Sequence, residues 1–341
     1  MIFVTEKYEI AVIGAGAAGS MGVLRAVLNN KKTIVFKGSR ATNKRSRAMW
    51  VKKVVNMPLM FDRKRAITES VDEVFDWIDG HEYFSEKLTT VSKEANKVEK
   101  LADGTFKITA ANQEEYLAKF VLLCTGIMDT QPEIQGSIKP ILPYANKGDV
   151  DYCIRCDGHK VINKISATIG HTKTAAWVAA LLHERYNPPE MKIFLNGKEA
   201  DWKEDEELNE LIRVYNIKVI PGEILSIKAN EKKDMQAFEI ADGDSSIEES
   251  VDVAFPMLGQ IAYNELAKQV GAEITERGNV VTNEKGESTI ENFYVAGDLR
   301  QGKKYQIYTS WDMAVDSVDD MDAKLRKEYR EQAKAEALMN K

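Results

Sequence analysis

Two cysteines separated by two residues, Cys153 and Cys156, form the part of the sequence with the most chemical potential. Thiols at this spacing can close a disulfide within one turn, and at the start of a helix the dipole favours the thiolate of the attacking sulfur. Asp157 follows the second cysteine and is suited to deliver or remove a proton as sulfur changes between thiol and thiolate. The motif predicts dithiol redox chemistry.

The same cysteine spacing also supplies half of a zinc site. Only Cys124 remains as a further cysteine, so a metal site would need His159 or His171 as additional ligands. We interpret Cys124 as a small buried hydrophobic residue, and the simpler interpretation of Asp157 is a solvated turn residue before Gly158. Zinc therefore stays open as the less favoured alternative.

A glycine-rich turn near the N-terminus predicts a dinucleotide site. The apolar run Tyr8 to Ile13 leads into the turn, and a helix is expected from Ser20 to Leu28. The first glycine permits the tight turn, the second allows a pyrophosphate to approach the backbone, and the third lets helix and strand pack closely. The helix N-terminus then presents free N–H groups to the phosphates. The turn residues with predicted cofactor contacts are Gly14, Gly16, Ala17, Ala18 and Gly19.

The next strand, Thr33 to Phe36, ends at Lys37, where an acid normally holds the adenosine ribose. Arg40 lies nearby, and a basic pair could instead bind a 2′-phosphate. NADP at this first site is therefore an alternative to FAD.

The order strand, turn, helix, strand occurs a second time, which indicates an internal duplication of the nucleotide-binding unit. In this copy His171 and Thr172 occupy positions where small, flexible residues are needed, and a Cβ there obstructs a pyrophosphate. The stretch Asn196 to Lys198, after the next strand, lacks the arginine cluster that grips a 2′-phosphate. The predicted elements of the copy are Ser166 to Ile169, Gly170 to Thr174, Ala175 to Tyr186 and Lys192 to Leu195.

Other segments have recognisable periodicity. Residues 66–79 place apolar side chains on one helical face, and residues 97–101, 105–110 and 116–123 predict an antiparallel meander. Residues 223–229, 235–240 and 251–255 suggest another sheet segment. A strand ending in Gly297 and Asp298 places a carboxylate where it can accept hydrogen bonds from sugar-like hydroxyls. Residues 309–325 predict a closing helix.

Composition is that of a globular protein with substantial cores. The chain has 341 residues and a net charge of −6, yet the segment from Lys31 to Arg65 holds twelve basic residues and one acid. That segment could dock an anionic partner or a phosphate, or could be an ordinary solvated face. We expect no signal peptide and no membrane span. Few cysteines favour a reducing, cytoplasmic compartment.

Taken together, the first glycine turn, the CxxC-Asp motif, the duplicated unit and the late Tyr294-Val295-Ala296-Gly297-Asp298 resemble the low-molecular-weight thioredoxin reductase family. The resemblance runs from about Tyr8 to Leu325. It implies an α/β fold with two Rossmann-like, three-layer nucleotide-binding domains, the second inserted into the first. The expected FAD domain comprises residues 1–126 and 255–341, and the redox domain comprises residues 127–254.

The resemblance also implies roles for individual residues. Cys153 and Cys156 are expected as the redox pair, with Asp157 as proton donor and acceptor. Asn56, in Asn-Met-Pro, resembles a flavin-proximal asparagine, and Gln306 resembles a residue near the isoalloxazine ring. The FAD contacts implied are Gly14, Gly16, Gly19, Thr125, Gly126, Gly297 and Asp298.

Lys37 and the degenerate second turn depart from the family pattern. The second departure is similar to thioredoxin reductase-like flavoproteins that have lost the pyridine nucleotide site, some of which accept electrons from ferredoxin. We therefore expect an FAD-dependent reductase of a thioredoxin-like protein, a homodimer, which does not use NADPH. The alternatives are an NADPH-dependent thioredoxin reductase, a flavin-dependent dithiol oxidase, a flavin redox sensor, and a zinc-stabilised NADP-binding protein.

Overall fold

The computed structural model describes residues 7–38, 51, 53–302 and 304–339. Arg40 and much of the basic segment between Lys31 and Arg65 lie outside the described residues. The elements below are numbered in chain order.

The β-strands are β1 (Lys7–Ile13), β2 (Thr33–Phe36), β3 (Leu88–Val91), β4 (Ala95–Lys100), β5 (Phe106–Ala110), β6 (Glu115–Leu123), β7 (Ile127–Asp129), β8 (Ile165–Ile169), β9 (Glu190–Phe194), β10 (Lys218–Ile220), β11 (Ile224–Ala229), β12 (Met235–Asp242), β13 (Ser245–Ser250), β14 (Val253–Pro256), β15 (Gln260–Ala262) and β16 (Phe293–Val295).

The α-helices are α1 (Ala17–Leu28), α2 (Ala66–Asp79), α3 (Glu82–Ser85), α4 (Leu142–Lys147), α5 (Ile154–Asp157), α6 (Lys173–Tyr186), α7 (Glu206–Val214), α8 (Glu265–Gln269) and α9 (Ile307–Met339). A short 3-10 helix, Gly158–Val161, follows α5 directly.

The described chain divides into two compact units. The first contains residues 7–38, 67–128 and 262–339, apart from 303, and the second contains residues 51, 53–66 and 129–261. The expected division was at residues 126 and 255. The contacts place the divisions a few residues later, and they group residues 53–66 with the second unit.

The first unit is built on a seven-stranded sheet in the order β3-β2-β1-β6-β5-β4, with β16 also paired to β6. Strands β1, β2, β3, β6 and β16 are parallel, whereas β4 and β5 form the predicted antiparallel meander with β6. Alternate residues of β1 enter two different apolar clusters, Ile10 and Val12 in one, Ala11 and Ile13 in the other. Both faces of the strand are buried, which explains its continuous apolar run.

The second unit contains a four-stranded parallel sheet in the order β10-β9-β8-β14 and a three-stranded antiparallel sheet, β11-β12-β13. Strands β7 and β15 form a separate pair. The repetition of strand, turn, helix and strand in β8, α6 and β9 confirms the predicted duplication. With the sheet of the first unit, this gives the expected α/β fold with two Rossmann-like units.

Two expectations about elements were wrong. We grouped residues 251–255 with residues 223–240, but β14 pairs with β8 in the parallel sheet, and the third antiparallel strand is β13. We ended the last helix at residue 325, but α9 continues to Met339. Within the described part of the chain, no helix combines the length and apolar character needed to cross a membrane.

Candidate functional site

Cys153 and Cys156 are joined in a disulfide, with their Cα atoms 5.3 Å apart. Cys153 is the N-cap of α5: its backbone is extended, and its sulfur accepts a hydrogen bond from the Cys156 N–H at 3.2 Å. The Cys153 carbonyl accepts further hydrogen bonds from the N–H groups of Cys156 and Asp157. Cys153 is buried and Cys156 is partly exposed. Cys156 is therefore the more exposed residue of the pair.

Asn56 lies against the disulfide, and its Nδ2 donates to Cys156 Sγ at 3.5 Å. Both residues belong to the second unit, since residues 53–66 pack with it. The sequence predicted a role for Asn56 near a flavin, and the structure brings it to the sulfur. An amide donor at this position can stabilise negative charge on Cys156 when the disulfide is reduced.

Asp157 belongs to a buried cluster of charges beside the disulfide. Lys160 Nζ lies 3.2 Å from Asp157 Oδ1 and 2.9 Å from both carboxylate oxygens of Asp151. Asp157 is only 2% exposed, and in the part of the chain that the structure describes its buried Oδ2 has no hydrogen-bond partner. The burial of Asp157 rules out its interpretation as a solvated turn residue.

The electrostatics of this cluster reflect two acids that share one base. Burial and the neighbouring Asp157 carboxylate raise the pKa of Asp151 from 3.8 to about 7, against the opposing effect of Lys160. Burial disfavours the charge on Lys160, but the two carboxylates outweigh it and raise the pKa of the ammonium. Asp151 therefore exchanges a proton near neutral pH while Lys160 stays charged.

The first glycine turn is held by close backbone packing. A Cβ on Gly14 would lie 2.5 Å from the carbonyl oxygen of Cys124, and a Cβ on Gly19 would lie 1.8 Å from the carbonyl oxygen of Gly14. Gly14 also has a φ of +97°, which disfavours any other residue. These two glycines are required by the turn between β1 and α1.

Gly16 differs from its neighbours because a Cβ on it would meet no atom of the described residues within 4 Å. It is the N-cap of α1, and no described side chain caps the helix there. Open space above Gly16 and the first N–H groups of a twelve-residue helix fit the approach of a pyrophosphate. The turn is thus suited to the phosphates of a dinucleotide.

Lys37 follows β2, and its Nζ lies 3.3 Å from the centroid of the Phe75 ring. Partial burial lowers the pKa of its ammonium, against the attraction of the acids in α2. The side chain is thus engaged by an aromatic face within its own unit. The partner expected for a 2′-phosphate, Arg40, lies outside the described residues.

Thr125 and Gly126 follow β6 and meet the start of the returning chain. Thr125 Oγ1 donates to the Tyr263 carbonyl at 2.6 Å, and the Tyr263 N–H donates to the Gly126 carbonyl at 3.1 Å. Gly126 has a φ of +67°, and a Cβ on it would meet none of the described residues within 4 Å. Tyr263 thus fixes this turn, a role that the sequence did not reveal.

Gly297 and Asp298 follow β16 and close the same side of the first sheet. A Cβ on Gly297 would lie 3.0 Å from the Ala18 Cβ, so this turn packs directly on the start of α1. The Asp298 carbonyl accepts from Asn279 Nδ2 at 3.0 Å. Gln306 is buried at the start of α9, where its Nε2 donates to the Tyr305 carbonyl. The structure therefore brings Gly297 and the first glycine turn together.

The second turn, between β8 and α6, keeps the tight approach but not the open space. A Cβ on Gly170 would lie 2.7 Å from the Met257 carbonyl oxygen. Thr172 occupies the N-cap of α6, and Lys173 forms an ion pair with Asp205 at 2.9 Å. Asn196 is committed to backbone partners, since it accepts from the Ile224 N–H and donates to the Glu133 carbonyl.

The third cysteine and the metal alternative can also be placed. Cys124 is buried and free, and burial raises the pKa of its thiol, so it stays uncharged in the core, as predicted. In the described part of the chain, no three His, Cys, Asp or Glu side chains are grouped so that they could hold a metal ion. Sequence reasoning missed Asp151 and Lys160, whose only signal was their position a few residues from the cysteines.

The model of the pyridine nucleotide-disulphide oxidoreductase family matches residues 8–317, and the chain belongs to this family. Within this family, the chain is a thioredoxin reductase-like oxidoreductase. A thioredoxin reductase of Treponema pallidum is 24% identical over 321 residues, covering 89% of this chain and 92% of that protein. A ferredoxin–NADP reductase of Symbiobacterium thermophilum is 23% identical over 302 residues, covering 86% and 85%.

Among solved structures, thioredoxin reductase from Streptococcus pyogenes has a TM-score of 0.79 at 16% identity, covering 94% of this chain and 99% of that one. Thioredoxin reductase from Giardia duodenalis has a TM-score of 0.76 at 18% identity, with the same coverage of both chains. At this identity the likeness concerns the fold.

Proposed function

We propose that this protein is an FAD-dependent disulfide reductase that passes electrons through the Cys153–Cys156 pair to a thioredoxin-like protein. The observation that carries the proposal is the disulfide itself. It lies at the N-terminus of a short helix, has an amide donor on one sulfur, and is followed by a buried carboxylate. A purely structural crosslink over three residues would gain little from such surroundings, because short loops have little entropy to lose.

The flavin would be held by the first unit. Gly14 and Gly19 shape the turn, and the open face of Gly16 admits the pyrophosphate. Gly297 and Asp298 close the same side of the sheet, and Thr125, Gly126 and Gln306 complete the contacts that the family suggests. FAD, when bound, supplies an electron pair at a potential suited to disulfide reduction.

The chain's own residues then handle the sulfur chemistry. The more exposed Cys156 is the candidate to attack the partner disulfide, and Cys153 resolves the mixed disulfide. Asn56 donates to Cys156 and favours its thiolate. Asp157 provides the proton that the pair gains and loses in each cycle.

We propose further that NADPH is not the electron donor. Thr172 and His171 stand where a pyrophosphate needs small residues, and Lys173 and Asn196 are engaged with partners of their own. An acidic donor such as a ferredoxin is the alternative. Relatives named ferredoxin–NADP reductase support a ferredoxin as a partner, but their name includes NADP as well, so the case against NADPH rests on the second turn alone. Lys31 cannot contribute to a docking surface, because it is buried against Asp322.

Anaerobic titration of the purified protein tests the donor. Reduced ferredoxin should bleach the flavin absorbance rapidly, whereas NADPH and NADH should bleach it at least tenfold more slowly. Rapid bleaching by NADPH would favour an NADPH-dependent thioredoxin reductase instead. Oxygen consumption with small dithiols would favour a dithiol oxidase, and flavin binding without turnover would favour a redox sensor.

The requirement for Cys156 is tested with a matched pair of variants. Cys156→Ser should abolish reduction of a thioredoxin-like disulfide while the protein stays yellow. Cys124→Ala removes a thiol outside the redox pair and should retain turnover. Full turnover by Cys156→Ser would contradict the assignment.

The family also suggests a homodimer, which sedimentation equilibrium of the purified chain would test.

A further inference from the structure

A partly buried base, Lys160, joins the acid beside the redox pair to a second acid, Asp151, that has no part in the proposed electron transfer. Lys160 Nζ bridges Asp157 Oδ1 at 3.2 Å and both oxygens of Asp151 at 2.9 Å. The two carboxylic acids are 2% and 6% exposed. Two buried acids on one base leave a net negative charge unless one of them holds a proton.

The position of the cluster connects it to the sulfurs. Asp157 directly follows Cys156, its N–H donates to the Cys153 carbonyl at 2.8 Å, and its buried Oδ2 has no hydrogen-bond partner among the described residues. An unpaired carboxylate oxygen in the interior costs free energy. This cost indicates that the hydrogen bonding of Asp157 Oδ2 changes during function. The atom that changes most when the disulfide is reduced is the neighbouring sulfur.

We propose that Lys160 and Asp151 are positioning residues that hold Asp157 in place and set the charge beside the Cys153–Cys156 pair, and with it the thiolate fraction of the reduced pair. The inference rests on the proposed dithiol role of the pair. Reduction breaks the S–S bond, takes two electrons and leaves two sulfurs that need two protons to become thiols. The reduced flavin of the proposed function supplies the electrons, and the cluster governs how readily the sulfurs take up the protons.

Few other groups of the described residues lie close enough to the Asp151, Lys160 and Asp157 side chains to change the charge beside the redox pair. Asp149 is the other acid whose charge acts on Asp151, and its Oδ2 accepts from the Met235 N–H. From α6, the Tyr186 hydroxyl would lie 3.7 Å from a Cβ on Gly158. Lys160 Nζ would lie 3.1 Å from a Cβ on Gly148, so glycine leaves room for the ammonium there.

The raised pKa of Asp151, about 7, gives the cluster a distinct pH behaviour. Below pH 7 Asp151 holds a proton and the cluster is close to neutral. Above pH 7 the cluster is negative and opposes a thiolate nearby. Removing Asp151 and removing Lys160 should therefore change thiol reactivity in opposite directions.

The test measures alkylation of the full-length protein after reduction with dithiothreitol. Iodoacetamide reacts with a thiolate, forms a carbon–sulfur bond and releases iodide, so its rate against pH reports the thiolate fraction without any need for flavin turnover. Mass spectrometry identifies the first cysteine to react. A failure of the reductase assay would leave this measurement intact, so the two proposals fail separately.

Asp151→Asn should follow the wild-type profile below pH 7 and react several-fold faster at pH 8, because a negative charge has been removed. Lys160→Met should react about tenfold slower at pH 8, the effect of roughly one unit in thiol pKa. Lys164→Met, an exposed lysine four residues on, should match wild type.

The proposal would be overturned if both cluster variants were alkylated within twofold of the wild-type rate at pH 8. It would also be overturned if both variants changed the alkylation rate in the same direction. If Lys160→Met fails to fold, as judged by circular dichroism, Asp151→Asn decides alone. A profile for Asp151→Asn that coincides with wild type from pH 6 to pH 9 would then overturn it.

Discussion

Two glycines three residues apart, Gly16 and Gly19, should respond to alanine in opposite ways. A Cβ on Gly19 would lie 1.8 Å from the Gly14 carbonyl oxygen and 2.8 Å from its carbonyl carbon. Both atoms are backbone, so α1 would have to move away from β1 by more than an ångström. A Cβ on Gly16, by contrast, would meet nothing within 4 Å in the described part of the chain.

The expected magnitudes follow from these distances. Overpacking a tight contact costs about 1–3 kcal/mol, and the backbone clash at Gly19 belongs at the upper end. With roughly 2–4 °C per kcal/mol for a unit of this size, Gly19→Ala should lower the melting temperature by about 6–12 °C. Gly16 has a φ of −77°, which alanine adopts freely. Alanine is a poorer N-cap than glycine, which destabilises α1, but it also stiffens the unfolded chain, which stabilises the fold. These effects offset each other, so the melting temperature of Gly16→Ala should stay within about 2 °C of wild type.

FAD binding should respond to the two substitutions in the reverse order, with the larger direct effect from Gly16→Ala. A methyl group on Gly16 occupies the space that the pyrophosphate needs, so Gly16→Ala should weaken FAD binding by at least about tenfold, or roughly 1.4 kcal/mol. Melting is followed by circular dichroism after FAD has been removed, and binding is followed by flavin fluorescence on adding FAD back. The reasoning is refuted if Gly16→Ala unfolds as early as Gly19→Ala, or if it binds FAD as tightly as wild type.

Two further variants test the buried charges of the second unit. Asp151 binds a proton more readily in the folded state than in the unfolded state between pH 4 and pH 7, because its pKa is raised to about 7. Its contribution to the free energy of unfolding should therefore fall with rising pH across that window, by up to about 4 kcal/mol, and urea titrations of wild type and Asp151→Asn should differ by this pH-dependent contribution. Lys192 is 2% exposed and pairs with Glu249 at 3.0 Å, so Lys192→Met should cost about 3 kcal/mol in urea unfolding. Lys203→Met breaks an exposed pair with Glu199 and should cost less than about 0.5 kcal/mol.

Elements buried by their own apolar pattern could be predicted from the sequence. Strand β2 and helix α2 have the predicted bounds, Thr33–Phe36 and Ala66–Asp79. In β2 every residue is buried, so the apolar run coincides with the strand. In α2 the apolar side chains recur at helical spacing, and Gly80 marks the end. Local sequence carries the whole signal in both elements.

Features that depend on distant partners could not be predicted. Strand β14 joins β8, almost ninety residues earlier in the chain, and its sequence does not distinguish that partner from β12. Helix α9 continues past Leu325 because the following residues include good helix formers and no glycine or proline. We ended this helix where the periodic pattern of apolar residues stops. The charged, exposed part of α9 that follows has no such pattern.

The candidate site divides in the same way. The cysteines and glycines are recognisable because their chemistry requires a fixed spacing. Asp151 and Lys160 carry no such spacing, and only the fold of α5 and the following 3-10 helix brings their charges onto Asp157. Asn56 was recognised from its motif, but its contact with Cys156 Sγ required the packing of residues 53–66 with the second unit.

The two nucleotide-binding turns show which glycines the fold needs and which a ligand needs. Gly14 and Gly170 hold equivalent positions, and a Cβ on either would lie within 2.7 Å of a backbone carbonyl oxygen, so both turns require glycine for the fold itself. Gly16 and Thr172 are the equivalent N-caps of α1 and α6. A Cβ on Gly16 would meet no atom of residues 7–38, 51, 53–302 and 304–339 within 4 Å, whereas a bound pyrophosphate would exclude it. The second turn carries a threonine at this position. The second turn thus retains the glycine that its fold requires and lacks the glycine that only a bound pyrophosphate would require, which is the physical basis for proposing a donor other than NADPH.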